Sequence, residues 1–154
     1  LAISPPEGEY PAAVGVPVRV WFEDAVPGET VGTEEPIVRT RGPVSVMMDI
    51  KLADVTLDWG DGTETTCEFN EESGTVGTPF EEGQDPLEFD SGCQHVYNTI
   101  SEGEPDGSFT VTAHSNWEVT WSVTTSAGTE GDVFTGASQP SEVTVRVGEI
   151  QTYR

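Results

Sequence analysis

From Phe109 to Val123 the chain alternates with a period of two: Phe109, Val111, Ala113, Ser115, Trp117, Val119, Trp121 and Val123 share one parity, and Thr, His, Asn, Glu and Ser fill the other. Successive side chains of an extended strand point to opposite faces, so this run reads as a strand with one face towards a core, and no helix buries such a pattern. It is longer than a common strand of about 5 to 6 residues. It therefore bends, carries a bulge near Ser115 and Asn116, or projects beyond its sheet. The alternation recurs in Val14, Val16, Val18, Val20 and Phe22, in Val44, Val46, Met48, Ile50 and Leu52, and in Val143, Val145 and Val147.

Between these runs, Glu23 to Pro36, Asn70 to Gly92, Ile100 to Gly107 and Ser126 to Pro140 are rich in Gly, Pro and acid and read as surface loops. A chain of 154 residues is long enough for one core. The expected architecture is a single all-β domain over 1–154, a two-sheet antiparallel sandwich with long loop insertions. Within it, Leu57 and Trp59 run into Gly60, Asp61 and Gly62 and then into Thr63 to Thr66. The Asp-Gly pair supplies the positive φ of a tight turn, so a hairpin centred on Asp61 and Gly62 is expected.

Cys67 and Cys93 are either buried thiols or a disulfide. Their polar, Gly-rich surroundings favour the bridge, which encloses 25 residues and points to an oxidising compartment. The 28 Asp and Glu against 6 Lys and Arg give a net charge of -22, which repels nucleic acid and anionic lipid. No apolar run approaches the ~20 residues of a membrane span, and no signal-peptide pattern begins at Leu1. The sequence reads as a mature or excised ectodomain.

Residues with chemical potential are few. Asp58 and Asp61 lack the alternating ligand spacing of a calcium loop and read as turn formers, although the acidic loops make calcium the one cofactor worth testing. His95 and His114 stand outside any zinc cluster. Asp90, Ser91 and His95 lack the Gly-x-Ser-x-Gly elbow of a hydrolase. Parity turns Trp59, Trp117 and Trp121 inwards with the apolar side chains. Trp21 falls opposite Val18, Val20 and Phe22, which makes it the candidate exposed aromatic for stacking a glycan.

The stretch Leu57-Asp58-Trp59-Gly60-Asp61-Gly62-Thr63 resembles the Trp-Asp-Phe-Gly-Asp-Gly-Thr signature of PKD domains. His95-Val96-Tyr97 and Gly107-Ser108-Phe109-Thr110-Val111-Thr112 resemble that family's His-x-Tyr and Gly-x-Tyr-x-Val signals, in the same order. Val14-Gly15-Val16-Pro17-Val18, the two cysteines about the long loop, Trp117-x-Val119-Thr120-Trp121 and Val145-x-Val147-x-Glu149-Ile150-Gln151 are similar to a group of exported actinobacterial PKD-like proteins. The resemblance implies an immunoglobulin-like sandwich outside the cell, in which Trp59, Gly60, Asp61 and Gly62 define the fold rather than catalyse. Against an ordinary PKD domain the chain inserts Ala25 to Gly42 and lengthens the segment between its cysteines. The expected role is a non-catalytic extracytoplasmic module, a spacer or an interaction domain for an extracellular protein. The alternative is a calcium- or glycan-binding module of the cell surface, with cell-wall glycan as partner.

Overall fold

The computed structural model describes residues 1–5, 11–22, 26, 28–70 and 74–149. Parts of the expected loops (23–25, 27 and 71–73) and the Ile150 and Gln151 of the terminal motif lie outside them. In chain order the strands are β1 (Ala2–Ser4), β2 (Ala12–Ala13), β3 (Pro17–Trp21), β4 (Ile37–Arg41), β5 (Val44–Asp58), β6 (Glu64–Asn70), β7 (Thr75–Val76), β8 (Gln94–Val96), β9 (Phe109–Thr125), β10 (Gly128–Ala137), β11 (Ser141–Val145) and β12 (Val147–Gly148). The fold is all-β, and its two larger sheets are antiparallel. A small sheet has the order β1-β3-β8, and a large one runs β10-β9-β5-β6-β7. The parallel pair β2-β12 closes one end.

The two larger sheets enclose one core. Val18 and Val20 of β3 meet Val55, Leu57 and Trp59 of β5 and the following turn, Cys67 of β6, and Phe109, Val111 and Ala113 of β9. The Cys67–Cys93 disulfide joins β6 to the residue preceding β8, and so ties one sheet to the other. Both cysteines are about 1% exposed. The early strand begins at Pro17, later than the Val14 its alternation suggests, because Gly15 takes φ +81° and the Val16 amide bonds back to the Ala13 carbonyl.

Strand β5 joins two runs whose apolar parities differ, even from Val44 to Leu52 and odd from Val55 to Leu57. A β-bulge reconciles them: Leu52 pairs with Trp117 and Asp54 with Asn116, which leaves Ala53 as the extra residue. The bulge expected near Ser115 and Asn116 thus lies on the facing strand, and both halves of β5 keep their apolar side chains on one face.

Beyond this bulge, β9 and β5 run on together past the core. On one flank β10 pairs with β9 from Asn116 to Thr125, while β11 takes over from Phe109 to Ala113. On the other flank β4 pairs with Val44 to Met48. The result is a four-stranded arm, β4-β5-β9-β10, projecting from the sandwich. Two loop expectations are corrected here. Ser126 to Pro140 contains the ten-residue strand β10, and Asn70 to Gly92 contains the two-residue β7, while β4 lies in the Ala25 to Gly42 insertion just past the Glu23 to Pro36 loop. β10 is recruited by the unpaired backbone that the long central strands expose, which outweighs its weak strand propensity, whereas Ile37, Val38 and Thr40 suit β4 to a strand from the start.

Candidate interaction surface

At the base of the large sheet, the residues of the Trp-Gly-Asp-Gly turn and the His-x-Tyr segment come together. The β5–β6 connection spans Trp59 to Thr63, with φ +78° at Gly60 and +87° at Gly62. A Cβ on Gly60 would lie 2.6 Å from the Thr110 carbonyl oxygen, so the turn packs directly against β9. Asp58 Oδ1 accepts from the Gly60 amide at 2.9 Å, and Asp61 Oδ1 accepts from the Thr63 amide at 3.0 Å and its hydroxyl at 2.6 Å. Asp61 Oδ2 meets His95 Nε2 at 2.7 Å. The His95 ring stacks on Trp59 at 5.1 Å, and Tyr97 donates its hydroxyl to the Trp59 carbonyl at 2.8 Å while stacking on Phe109. These bonds run between the turn and the His-x-Tyr segment or within the turn itself, which makes the cluster a fastening.

Burial pushes the Asp61 carboxyl up, but the bonds from Thr63 and His95 outweigh that and hold it below the usual carboxylate range. A carboxylate whose folded pKa is depressed contributes stability above its unfolded pKa of about 3.9 and loses that contribution as pH falls through the folded value. Asp61→Asn is therefore expected to lower stability by about 1 kcal/mol near neutral pH. The gap from the natural chain should narrow in acid. Denaturant melts at pH 7 and pH 3 measure both, and an equal gap at the two pH values would refute the ionic part of the account. Burial, with Asp61 and Asp58 nearby, raises the Tyr97 phenol well above its ordinary value, so this hydroxyl acts as a donor throughout.

Trp21 is half-buried rather than exposed, and its neighbour of the same parity, Arg19, is only 2% exposed. The segment between the cysteines covers this outer face of β3. Arg19 Nη2 donates to the Pro86 and Phe89 carbonyls at 2.5 and 2.7 Å, and its guanidinium lies over the Phe80 and Phe89 rings. Burial lowers the Arg19 pKa and Asp90 partly offsets this. Gly77 lies against the same strand, where an added Cβ would come within 2.3 Å of the Val20 carbonyl oxygen. The long insertion is thereby a third layer over the small sheet. A polar cleft of about 710 Å³ opens beside it, lined by Glu68, Asn70, Thr78 and Asp90 among others. Among the described residues no three carboxylates, histidines or cysteines gather to hold an ion.

Trp59 is fully buried and Trp117 packs on the edge of the core, as parity requires. Trp121 departs from that expectation. It keeps the core parity but sits on the arm, where the small sheet no longer covers the large one, and it is 36% exposed. Paired residues share a face, so Ile37, Met48 and Trp121 form one row across the arm and Val119 and Phe134 belong to the next. Phe134 is 55% exposed and Val46 is 41% exposed on that same face. The opposite face carries Thr40, Ser45, Asp49, Lys51, Glu118, Thr120 and Ser122 together with Val38, Met47 and Val133, of which Val38 is 51% and Val133 50% exposed. The face of Trp121 holds the larger apolar set, a strip along β5 and β9 flanked by Arg39 and Arg41 on β4 and by Glu130 and Asp132 on β10, and it is the candidate interaction surface.

Among the described residues no helix is long and apolar enough to cross a membrane. Compared with protein-family models, curated proteins and solved structures, the chain matches none.

Proposed function

We propose that this chain is a non-catalytic module of the extracytoplasmic surface, an immunoglobulin-like sandwich of the PKD type that binds a protein partner through its projecting arm. The observation that carries this reading is the arm's apolar face. It continues the core pattern of β5 and β9 beyond the reach of the covering sheet, and it holds Trp121 and Phe134 on a hydrogen-bonded four-stranded sheet. Aromatic side chains on a rigid support lose little conformational entropy on binding and dominate protein interfaces. The clustering of Trp59, Asp61, His95 and Tyr97 supports the PKD resemblance, and the buried disulfide supports an oxidising compartment. A glycan platform at Trp21 has less support, because that ring is half-buried.

The test is retention by immobilised protein of polypeptides from a cell-surface extract, comparing the natural chain with a Trp121→Ser, Phe134→Ser variant. The natural chain is expected to retain a polypeptide that the variant does not. Identical retention by both would overturn the role of the arm. Trp121 is only 36% exposed, so the variant should lose about 1 to 2 kcal/mol and is compared with the natural chain well below its melt.

A further inference from the structure

The reading of the arm as a binding surface leaves its occupant open, and the following step rests on that reading. We propose that the occupant is a second copy of this chain, packed arm on arm and head to tail across a two-fold axis perpendicular to the strands.

Shape narrows the choice first. The exposed face is a sheet four strands wide, and the natural cover for such a face is another sheet about 10 Å away, as the small sheet already covers the base. Four strands at about 4.8 Å and nine residues at about 3.4 Å give a face of about 600 Å², or about 1,200 Å² for two copies. That reaches the lower end of stable interfaces. The apolar side chains buried would be Ile37, Val44, Val46, Met48, Trp121 and Phe134, each at least 36% exposed in the single chain, with Arg39 and Arg41 on one rim and Glu130 and Asp132 on the other sharing their face.

Sterics then fix the direction. The small sheet lies on the same side of the large sheet as the apolar arm face. If two arms stacked with their sandwiches at the same end, the two small sheets would occupy one space. Head to tail, each arm fills the layer beyond the other copy's small sheet, and the two bodies lie at opposite ends. An isologous contact of this kind closes as a dimer.

Charge supplies the third argument. On the β4 flank of the arm, Arg39 and Arg41 stand near the tip and Glu34 and Glu35 near the base, where Gly32 bridges to Lys51. A two-fold through the row of Met48 and Trp121 brings the tip of this flank over the base of the same flank in the other copy. Each pair of arginines then faces a pair of glutamates, at two symmetric places. The same axis places Asp132, which shares the row of Trp121, near its own equivalent at the opposite rim. With -22 on each chain, association should tighten as salt is added.

The test is sedimentation equilibrium of the whole chain from micromolar to submillimolar concentration in moderate salt. A dimer with Kd of about 10 µM is expected from an interface of this size. Trp121→Ser with Phe134→Ser should weaken it about 100-fold. Arg39→Glu with Arg41→Glu should also yield monomer, and adding Glu34→Arg and Glu35→Arg should restore the dimer. Adding Glu102→Arg and Glu104→Arg instead restores the same net charge away from the arm and should leave the chain monomeric. Asp132→Asn should tighten the dimer. A natural chain that stays monomeric, or a dimer indifferent to Trp121 and Phe134, overturns the proposal. If a monomeric natural chain still retains a surface polypeptide that the Trp121→Ser, Phe134→Ser variant loses, the dimer falls and the broader binding role of the arm stands; if that retention is lost as well, both fall.

Discussion

With Cys67 and Cys93 both replaced by alanine, the domain is expected to lose about 3.5 kcal/mol of stability, because the bridge removes loop-closure entropy from the unfolded chain across 25 intervening residues. The native arrangement offers little to set against that loss. The two sulfurs lie inside the core, where each cysteine is about 1% exposed, so alanine also leaves small voids that the neighbouring strands fill only in part. The pair is the one covalent tie between the two sheets among the described residues, and the covering segment that buries Arg19 begins and ends close to it. Urea unfolding of the natural and doubly substituted chains measures the effect. A shift below about 1 kcal/mol would show that sheet packing alone fixes the two layers. Burial adds a kinetic expectation: reductant should open the bridge at the rate of global unfolding, which mass spectrometry reads as the gain of two hydrogens.

Trp59→Ala is expected to be at least as damaging, at about 3 to 5 kcal/mol. Trp59 is fully buried, stacks on His95, meets Tyr97 edge-on at 6.4 Å, and donates Nε1–H to the Thr65 hydroxyl at 2.9 Å. Truncation empties the centre of the fastening between the β5–β6 turn and the segment from His95 to Tyr97. Trp59→Phe separates the contributions. It retains a ring in the core and forfeits the bond to Thr65, so it should cost about 1 to 2 kcal/mol. If Trp59→Ala and Trp59→Phe proved equally mild in thermal melts, the aromatic cluster would not be what holds the turn to the sandwich.

Much of this architecture is legible in the order of the residues, and the places where legibility ends have physical reasons. Alternation along Phe109 to Val123 gives the central strand and its inward face, and the Asp61-Gly62 pair gives the hairpin. The change of parity between Leu52 and Val55 is itself a written signal of the bulge, since no regular strand places both on one side. β10 is illegible by contrast. Thr129 to Ala137 mixes Gly, Glu and Asp with Val133, Phe134 and Ala137 and shows no alternation, and its strand form comes from the open edge of β9. Alternation also reports only which side a residue takes, never whether another layer lies over that side. Trp121 and Arg19 are the two instances: the inward-facing Trp121 lies past the end of the covering sheet, and the outward-facing Arg19 lies beneath the segment between the cysteines. The solvent-open face of the arm follows from that missing layer, which only tertiary structure reveals.

The surplus residue at Ala53 makes the long strand a joint between two independently registered ladders. Any other single deletion within the arm portion of β5 would turn part of its greasy side towards the polar side. Removing Ala53 alone would leave both ladders paired as they are and change only the local coil of the ribbon. The heading at which the arm leaves the body is therefore adjustable by one amino acid without rewriting what either half presents.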